Sequence, residues 1–374
     1  MLRVTTNSTL YTYQKNLLKN SNQLYTAMNA MMTGRNFDSY SADPAAATQA
    51  FKLHSSLNAT NTQASNNQAV YNKFSSAWDI ADDLVNDLTQ DLAQTPLLKG
   101  LNETNWSTLN TQGDIILAGA ESMVQSLNST YGSKYIFNGA DTENPPFAIE
   151  TEGDMHYLTY RGVRVDDPNE AYYDDFYLDE NGNQVPKDPN DLTKGYWTNG
   201  EMLEKWSDEH LYVDVGIGFG LDQDDNVIDS TAFDSAISGI DFIGGYGYED
   251  GTPKNIISIM LRSAEIFKDY NQETGEWGPA GDLEDARALV NKFSKAQEAL
   301  SNQHVALETK ATFLKTNQSQ LESTFYDQNT QLNGIEKIDQ VEAILTLVSA
   351  QTSYNAALQV GANVVPQSLM DYLK

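Results

Sequence analysis

Leu10, Leu17, Leu24 and Met31 recur every seven residues near the start of the chain, and Tyr13, Ala27 and Met28 fill the adjacent stripe. A seven-residue apolar step marks a helix that packs along its length. The predicted helix ends at Thr33-Gly34-Arg35, where Gly34 suits the left-handed residue that follows a helix. A second helix is predicted with Asp43 as its cap and Pro44 as its first helical residue. Its seam runs Ala50, Leu57, Ala64, Tyr71, Trp78, Val85 and Leu92. Beside it lie Leu53, Phe74, Ala81 and Leu88, a row that Thr60 and Asn67 interrupt. Pro96 and Gly100 are predicted to end this helix. At 1.5 Å per residue it spans roughly 75 Å, more than a globular core, so it belongs in a rod or bundle. A shorter helix follows, with Leu109, Ile116, Met123 and Leu127 on one side.

The far end mirrors this pattern. Ala286, Phe293, Leu300, Leu307, Leu314 and Leu321 again step by seven, with Leu289, Ala296, Phe325 and Leu332 beside them. Asn333-Gly334 is the predicted break. From Ile335 to Leu373, residues Ile338, Val341, Ile344, Leu345, Val348 and Leu358 return at helical spacing. A helix is also predicted over Asn255 to Tyr270, through Ile256, Ile259, Met260 and Phe267. Between about 141 and 250 the helical period lapses. Tyr157–Tyr160 and Leu211–Val215 read as short strands, and Glu180-Asn181-Gly182-Asn183 as a hairpin turn. The predicted fold class is mainly α with a β-rich insertion: a long helical coiled-coil or bundle rod formed by both chain ends, plus an outer β-rich domain.

Charge sharpens the division. The 374 residues include 52 acidic and 23 basic ones, a net charge of −29. Residues 141–281 hold 31 of the acids and 8 of the bases. No acid precedes Asp38, and after Glu342 there is almost none until Asp371. Both chain ends are thus spared the charge, and their apolar stripes lie outside the main rod. A lone amphipathic helix is marginal in water, so these ends are expected to fold fully on meeting each other and neighbouring subunits. The assembly-interface candidates are Leu10, Leu17, Leu24, Met28, Met31, Val341, Leu345, Val348, Leu358 and Leu369. The acidity argues against nucleic acid or an anionic membrane as partner. No apolar run reaches the length of a membrane span. The N-terminus has no apolar core or cleavage site of a secretory signal, so the chain is expected either to stay in the cytoplasm or to leave by a route that needs no cleaved signal. There is no cysteine, which removes disulfides, thiolate metal sites and cysteine nucleophiles from consideration.

Motifs for chemistry are sparse. His54, His156, His210 and His304 are far apart in sequence, and no zinc-protease, nucleophile-elbow or P-loop pattern occurs. Gly216-Ile217-Gly218-Phe219-Gly220 follows a strand signal, but its third glycine is misplaced for a dinucleotide fingerprint, and an acidic turn follows instead of a helix. Asp222, Asp224, Asp225, Asn226 and Asp229 resemble a calcium loop, yet Val227 and Phe233 stand where that loop needs Gly and Glu. No catalytic, metal or cofactor site is expected, and no enzyme activity.

Met31-Met32-Thr33-Gly34-Arg35, followed by Ser41-Ala42-Asp43-Pro44-Ala45, resembles the signature of the flagellin superfamily of axial filament proteins, with Ala42 where a paired acid is common. Within it, Lys134 to Phe147 and the ending Pro366 to Lys374 are similar to the members that join hook to filament. The resemblance covers about 1–147 and 285–374. It implies a terminal coiled-coil assembly domain (1–40 and 336–374), a helical rod domain with a small hairpin (41–145 and 253–335) and an outer acidic β-rich domain (146–252). It further implies a structural protein of the bacterial flagellum, extracellular, exported by the flagellar type III apparatus with a dedicated chaperone. Implied partners are other copies, the hook-side junction protein, and filament flagellin or the cap side. Filament flagellin itself is the alternative. A secreted adhesin using Trp197, Trp206, Tyr246 and Tyr248 for glycans is a second.

Overall fold

The computed structural model describes residues 6–37, 39, 41–102, 106–172, 176–178, 184–186, 197–223, 226–228 and 231–364. The chain forms two compact units, one of Met1–Thr62 with Gln320–Lys374, the other of Gln63–Ser319.

The first unit is helical. Helix α1 spans Thr6–Thr33, and Gly34 follows it with φ of 68°, the left-handed cap position predicted for it. Helix α2 starts at Pro44, where Asp43 Oδ1 accepts from the amides of Ala45 (3.1 Å) and Ala46 (3.0 Å). Helix α8, Leu283–Glu336, closes in this unit, and α9 spans Gln340–Val364. The predicted break at Asn333-Gly334 is corrected: the helix continues to Glu336, because a lone glycine costs a helix interior only about 1 kcal/mol and Leu332 beside it is buried. The chain turns instead at 337–339, where Asp339 Oδ1 accepts from the Val341 amide (2.8 Å).

In the second unit α2 runs on to Asp82, through two π-helical stretches, Asp83–Leu88 and Gln90–Gln94, into α3, Thr95–Asn102. Pro96 and Gly100 therefore do not end the helix as predicted. The widened turns just before Pro96 re-register the ladder ahead of the residue that has no donor, and both residues are buried. The row Thr60, Asn67, Phe74, Ala81 is the buried one, not the Leu57–Val85 seam, whose members are half-buried. Bonding explains why Asn67 sits there: its Nδ2 donates to Leu314 O (2.9 Å) and Gln318 Oε1 (2.9 Å), and its Oδ1 accepts from Asn317 (2.9 Å). A buried amide so satisfied fixes register between helices.

Helix α4, Leu109–Leu127, packs on α7, Ile256–Lys268. Asn255 caps α7, its side chain accepting from the Ser258 amide (2.7 Å). Ile256, Ile257, Ile259, Met260, Leu261 and Phe267 are all buried, so α7 is apolar nearly all round and central to this core. Against it lies an antiparallel sheet of β3 (Phe147–Glu152), β4 (Met155–Tyr160) and β5 (Val163–Arg164). The remaining strands form two-stranded ladders: β1–β2 (130–131 with 134–135), β6–β9 (171–172 with 197–198), β7–β8 (176–178 with 184–186), β10–β11 (212–213 with 233–234) and β12–β13 (248–249 with 252–253). The predicted strand 211–215 shortens to 212–213. The Glu180–Asn183 turn lies outside the described residues, between β7 and β8. Short helices α5 (Asn199–Ser207) and α6 (Gly239–Phe242) complete the unit.

The Lys134–Phe147 stretch supplies much of this packing, for Ile136, Phe137, Asn138 and Phe147 are buried. Arg161 ties it down. Its guanidinium donates to both Glu209 oxygens (2.9 and 2.8 Å) and to Asn138 Oδ1 (2.6 Å), and lies 5.2 Å from the Trp206 ring centre. Although burial opposes it, that bonding holds the Glu209 carboxyl below its ordinary range.

Candidate assembly interface

Helices α1 and α9 lie against each other, antiparallel. At one end the Ile338 amide donates to Gly34 O (3.1 Å) and the Asn36 amide to Glu336 O (2.8 Å). Towards the other, Gly361 packs directly on the Tyr13 ring, leaving no space for a side chain. The facing residues of α9 are Ala343, Leu347, Ala350, Tyr354, Ala357 and Gly361, a three–four repeat, all buried or half-buried. On α1 Leu10, Leu17 and Leu24 are half-buried and Ala27 is buried.

The predicted interface residues therefore divide. Leu10, Leu17 and Leu24 are partly covered within the protomer. Met28, Met31, Val341, Leu345, Val348 and Leu358 are exposed. Leu369 lies outside the described residues. Sequence reasoning missed a second row one position along α1. Tyr11, Leu18, Tyr25 and Met32 also step by seven, and are 64–80% exposed. The same count that finds Leu10 would have found Tyr11. On α9, Val341, Leu345 and Val348 are 56–67% exposed. A groove of about 1130 Å³ runs along the pair, with Lys15, Leu18 and Lys19 on the α1 bank and Glu342, Leu345 and Ser349 on the α9 bank. Exposed apolar rows at heptad spacing are surfaces suited to burial by other helices.

The two units differ sharply in charge. The first holds 7 basic and 8 acidic residues, the second 16 and 44. The unit displaying the apolar rows is thus close to neutral.

Elsewhere the geometry offers structural pairings. His54 bonds Glu336 (2.8 Å), and His210 bonds Asp234 (2.9 Å). His304 packs on Trp78 with ring centroids 5.1 Å apart and planes tilted by 31°, and the His156 amide donates to Glu265 Oε1 (2.5 Å). Among the described residues, no group of three His, Asp or Glu side chains is arranged to hold a metal, and no helix is long and apolar enough to cross a membrane. Of the aromatic residues considered for glycans, Trp206 packs on Tyr160 and Tyr172, whereas Trp197 and Tyr248 are exposed. Burial pushes the Asp166 carboxyl up to about 6, against the opposing influence of Ser258 and Asn255. Burial likewise pulls the Lys73 ammonium down to about 8, while its Nζ donates to Ser235 O (2.8 Å).

No family model and no curated protein matches the sequence. Solved structures do align with it. One, described as a flagellar hook-associated protein of Vibrio parahaemolyticus, aligns at TM-score 0.51 and 12% identity, covering 79% of this chain and 100% of that one. Flagellar hook-associated protein 3 of Legionella pneumophila aligns at TM-score 0.43 and 11% identity, covering 76% and 98%. FlgL of Bacillus cereus aligns at TM-score 0.39 and 15% identity, covering 76% and 99%. The first of these establishes a shared fold.

Proposed function

We propose that this chain is a structural subunit of the bacterial flagellum, of the hook-associated protein 3 type, that joins hook to filament. It acts by assembly, not by catalysis. The observation that carries the reading is the near-neutral terminal unit, which exposes apolar heptad rows on both of its terminal helices. A fold shared along the whole length of a hook-associated protein supports it.

The mechanism follows from burial. A large apolar side chain covered by a neighbour contributes roughly 1.5–3 kcal/mol relative to one left in water. Among the described residues, six such positions on α1 and six on α9 are exposed per copy. Repulsion between the terminal units of neighbours is small, since their charges nearly cancel, whereas the second unit repels its like and favours solvent. In this reading the chain leaves the cell through the flagellar export apparatus, escorted by a chaperone, and contacts the hook-side junction protein and the filament side. Immunogold labelling of isolated flagella tests the placement. Label confined to the boundary of hook and filament is expected. Label along the filament favours filament flagellin, and flagella without label overturn the reading.

A further inference from the structure

We propose that copies of this chain join heterologously, the apolar and basic face of α1 in one copy seating on the apolar and acidic face of α9 in the next. The inference rests on the self-assembly reading and adds which surface meets which.

The two faces are apolar but opposite in sign. Residues 1–37 contain basic side chains and no acid, whereas Asp339 and Glu342 are the only charged residues between 338 and 370. Lys15 and Lys19 stand among Tyr11, Leu18 and Tyr25, while Glu342 stands beside Val341 and Leu345. All of these side chains are exposed.

Within one copy these charges cannot meet. The pair is antiparallel, with Gly34 near Ile338 and Tyr13 against Gly361. That places the lysines towards the Gly361 end and Glu342 towards the opposite end, separated by roughly 17–25 Å of helix at 1.5 Å per residue. Accordingly, Lys15, Lys19 and Glu342 make no ion pair among the described residues.

The choice of a second copy as occupant, and of its orientation, follows from those signs. A self-complementary contact of α1 on α1 would set lysines against lysines, and α9 on α9 would set carboxylates against carboxylates. The contact of α1 on α9 pairs opposite charges and covers both apolar rows. Such a head-to-tail contact generates a ring or an open stack instead of a closed dimer.

Charge reversal in the full-length chain tests this, with sedimentation velocity as the readout and circular dichroism as the check on folding. One variant, K15E/K19E, turns the α1 face acidic; the other, E342K/T346K, turns the α9 face basic. Each alone is expected to associate about tenfold more weakly than the natural chain, since every contact then joins like charges. An equimolar mixture is expected to recover, because each α1 again meets an opposite α9. Natural-strength association by either variant alone, with a mixture tighter than both, would indicate like-face contacts and overturn the inference while leaving self-assembly intact. A mixture that fails to recover, with both variants folded, overturns it as well. A natural chain that never associates overturns both readings.

Discussion

Asp166 is 8% exposed, and its carboxyl, raised by burial, titrates near 6 in the folded chain against an ordinary value of 3.8. The folded state therefore binds a proton more tightly than the unfolded one. For a carboxyl raised in this way, the favourable contribution is present at low pH and is lost as pH rises from about 4 to 6. Above that range the buried carboxylate destabilises by up to about 3 kcal/mol, from a shift near two units at 1.36 kcal/mol each. Asp166→Asn should accordingly stabilise the second unit by about 2–3 kcal/mol at pH 7 and give little gain at pH 4. All five tryptophans, at 78, 106, 197, 206 and 277, lie in that unit, so their fluorescence in urea reports it alone. Keeping the measurement at or below pH 7 avoids Lys73, which titrates near 8. Arg161 gives the opposite outcome. Arg161→Ala removes the guanidinium bonds of Glu209, which keeps only the Ala140 amide (3.1 Å), and of the Asn138 side chain, and should cost about 2 kcal/mol in the same experiment. Arg161→Lys should recover only part, since an ammonium cannot bond both Glu209 oxygens in the guanidinium's planar fork.

At the scale of elements, the pairing of α1 with α9 hinges on close approach at Gly361. Gly361→Val should push against the Tyr13 ring, and hydrogen exchange at the amides of α1 and α9 should accelerate. Tyr13→Ala in the same chain should restore much of the protection, and a double variant no better than the single would mean the contact does not hold the pair. Most helices are legible in the sequence because their apolar residues keep a strict period. Ala286 to Leu321 is an example in which every predicted seam residue is buried. The Asp43–Pro44 start and the Gly34 stop are legible for a different reason, since each depends on local backbone chemistry. Helix ends that depend on tertiary context are not. Pro96 reads as a stop because a proline lacks a donor, but the π-helical turns before it absorb that loss. Thr60 and Asn67 read as interruptions because composition cannot reveal that Gln328 (3.2 Å from Thr60) and the Asn317–Gln318 amides satisfy them. The candidate interface is half legible. The Leu10 row stands out in the sequence yet is partly covered, while two tyrosines disguise the apolar character of the more exposed Tyr11 row beside it.

Across the whole molecule, the distribution of charge matches a division of labour between the units. Of the net −29, almost all belongs to residues 63–319, and the unit made by the two chain ends is nearly neutral. An acidic body resists non-specific association, while apolar rows on a neutral one invite specific burial. If these rows drive self-association, replacing them with polar side chains should abolish it. Leu18→Gln, Tyr25→Gln, Leu345→Gln and Val348→Gln, combined in the full-length chain, should leave its folding intact because all four side chains are exposed. Sedimentation velocity across a concentration series should then show the natural chain growing beyond its 41.5 kDa protomer while the fourfold variant stays at that mass. A variant that assembles as readily as the natural chain would show that the exposed rows are not what holds the copies together.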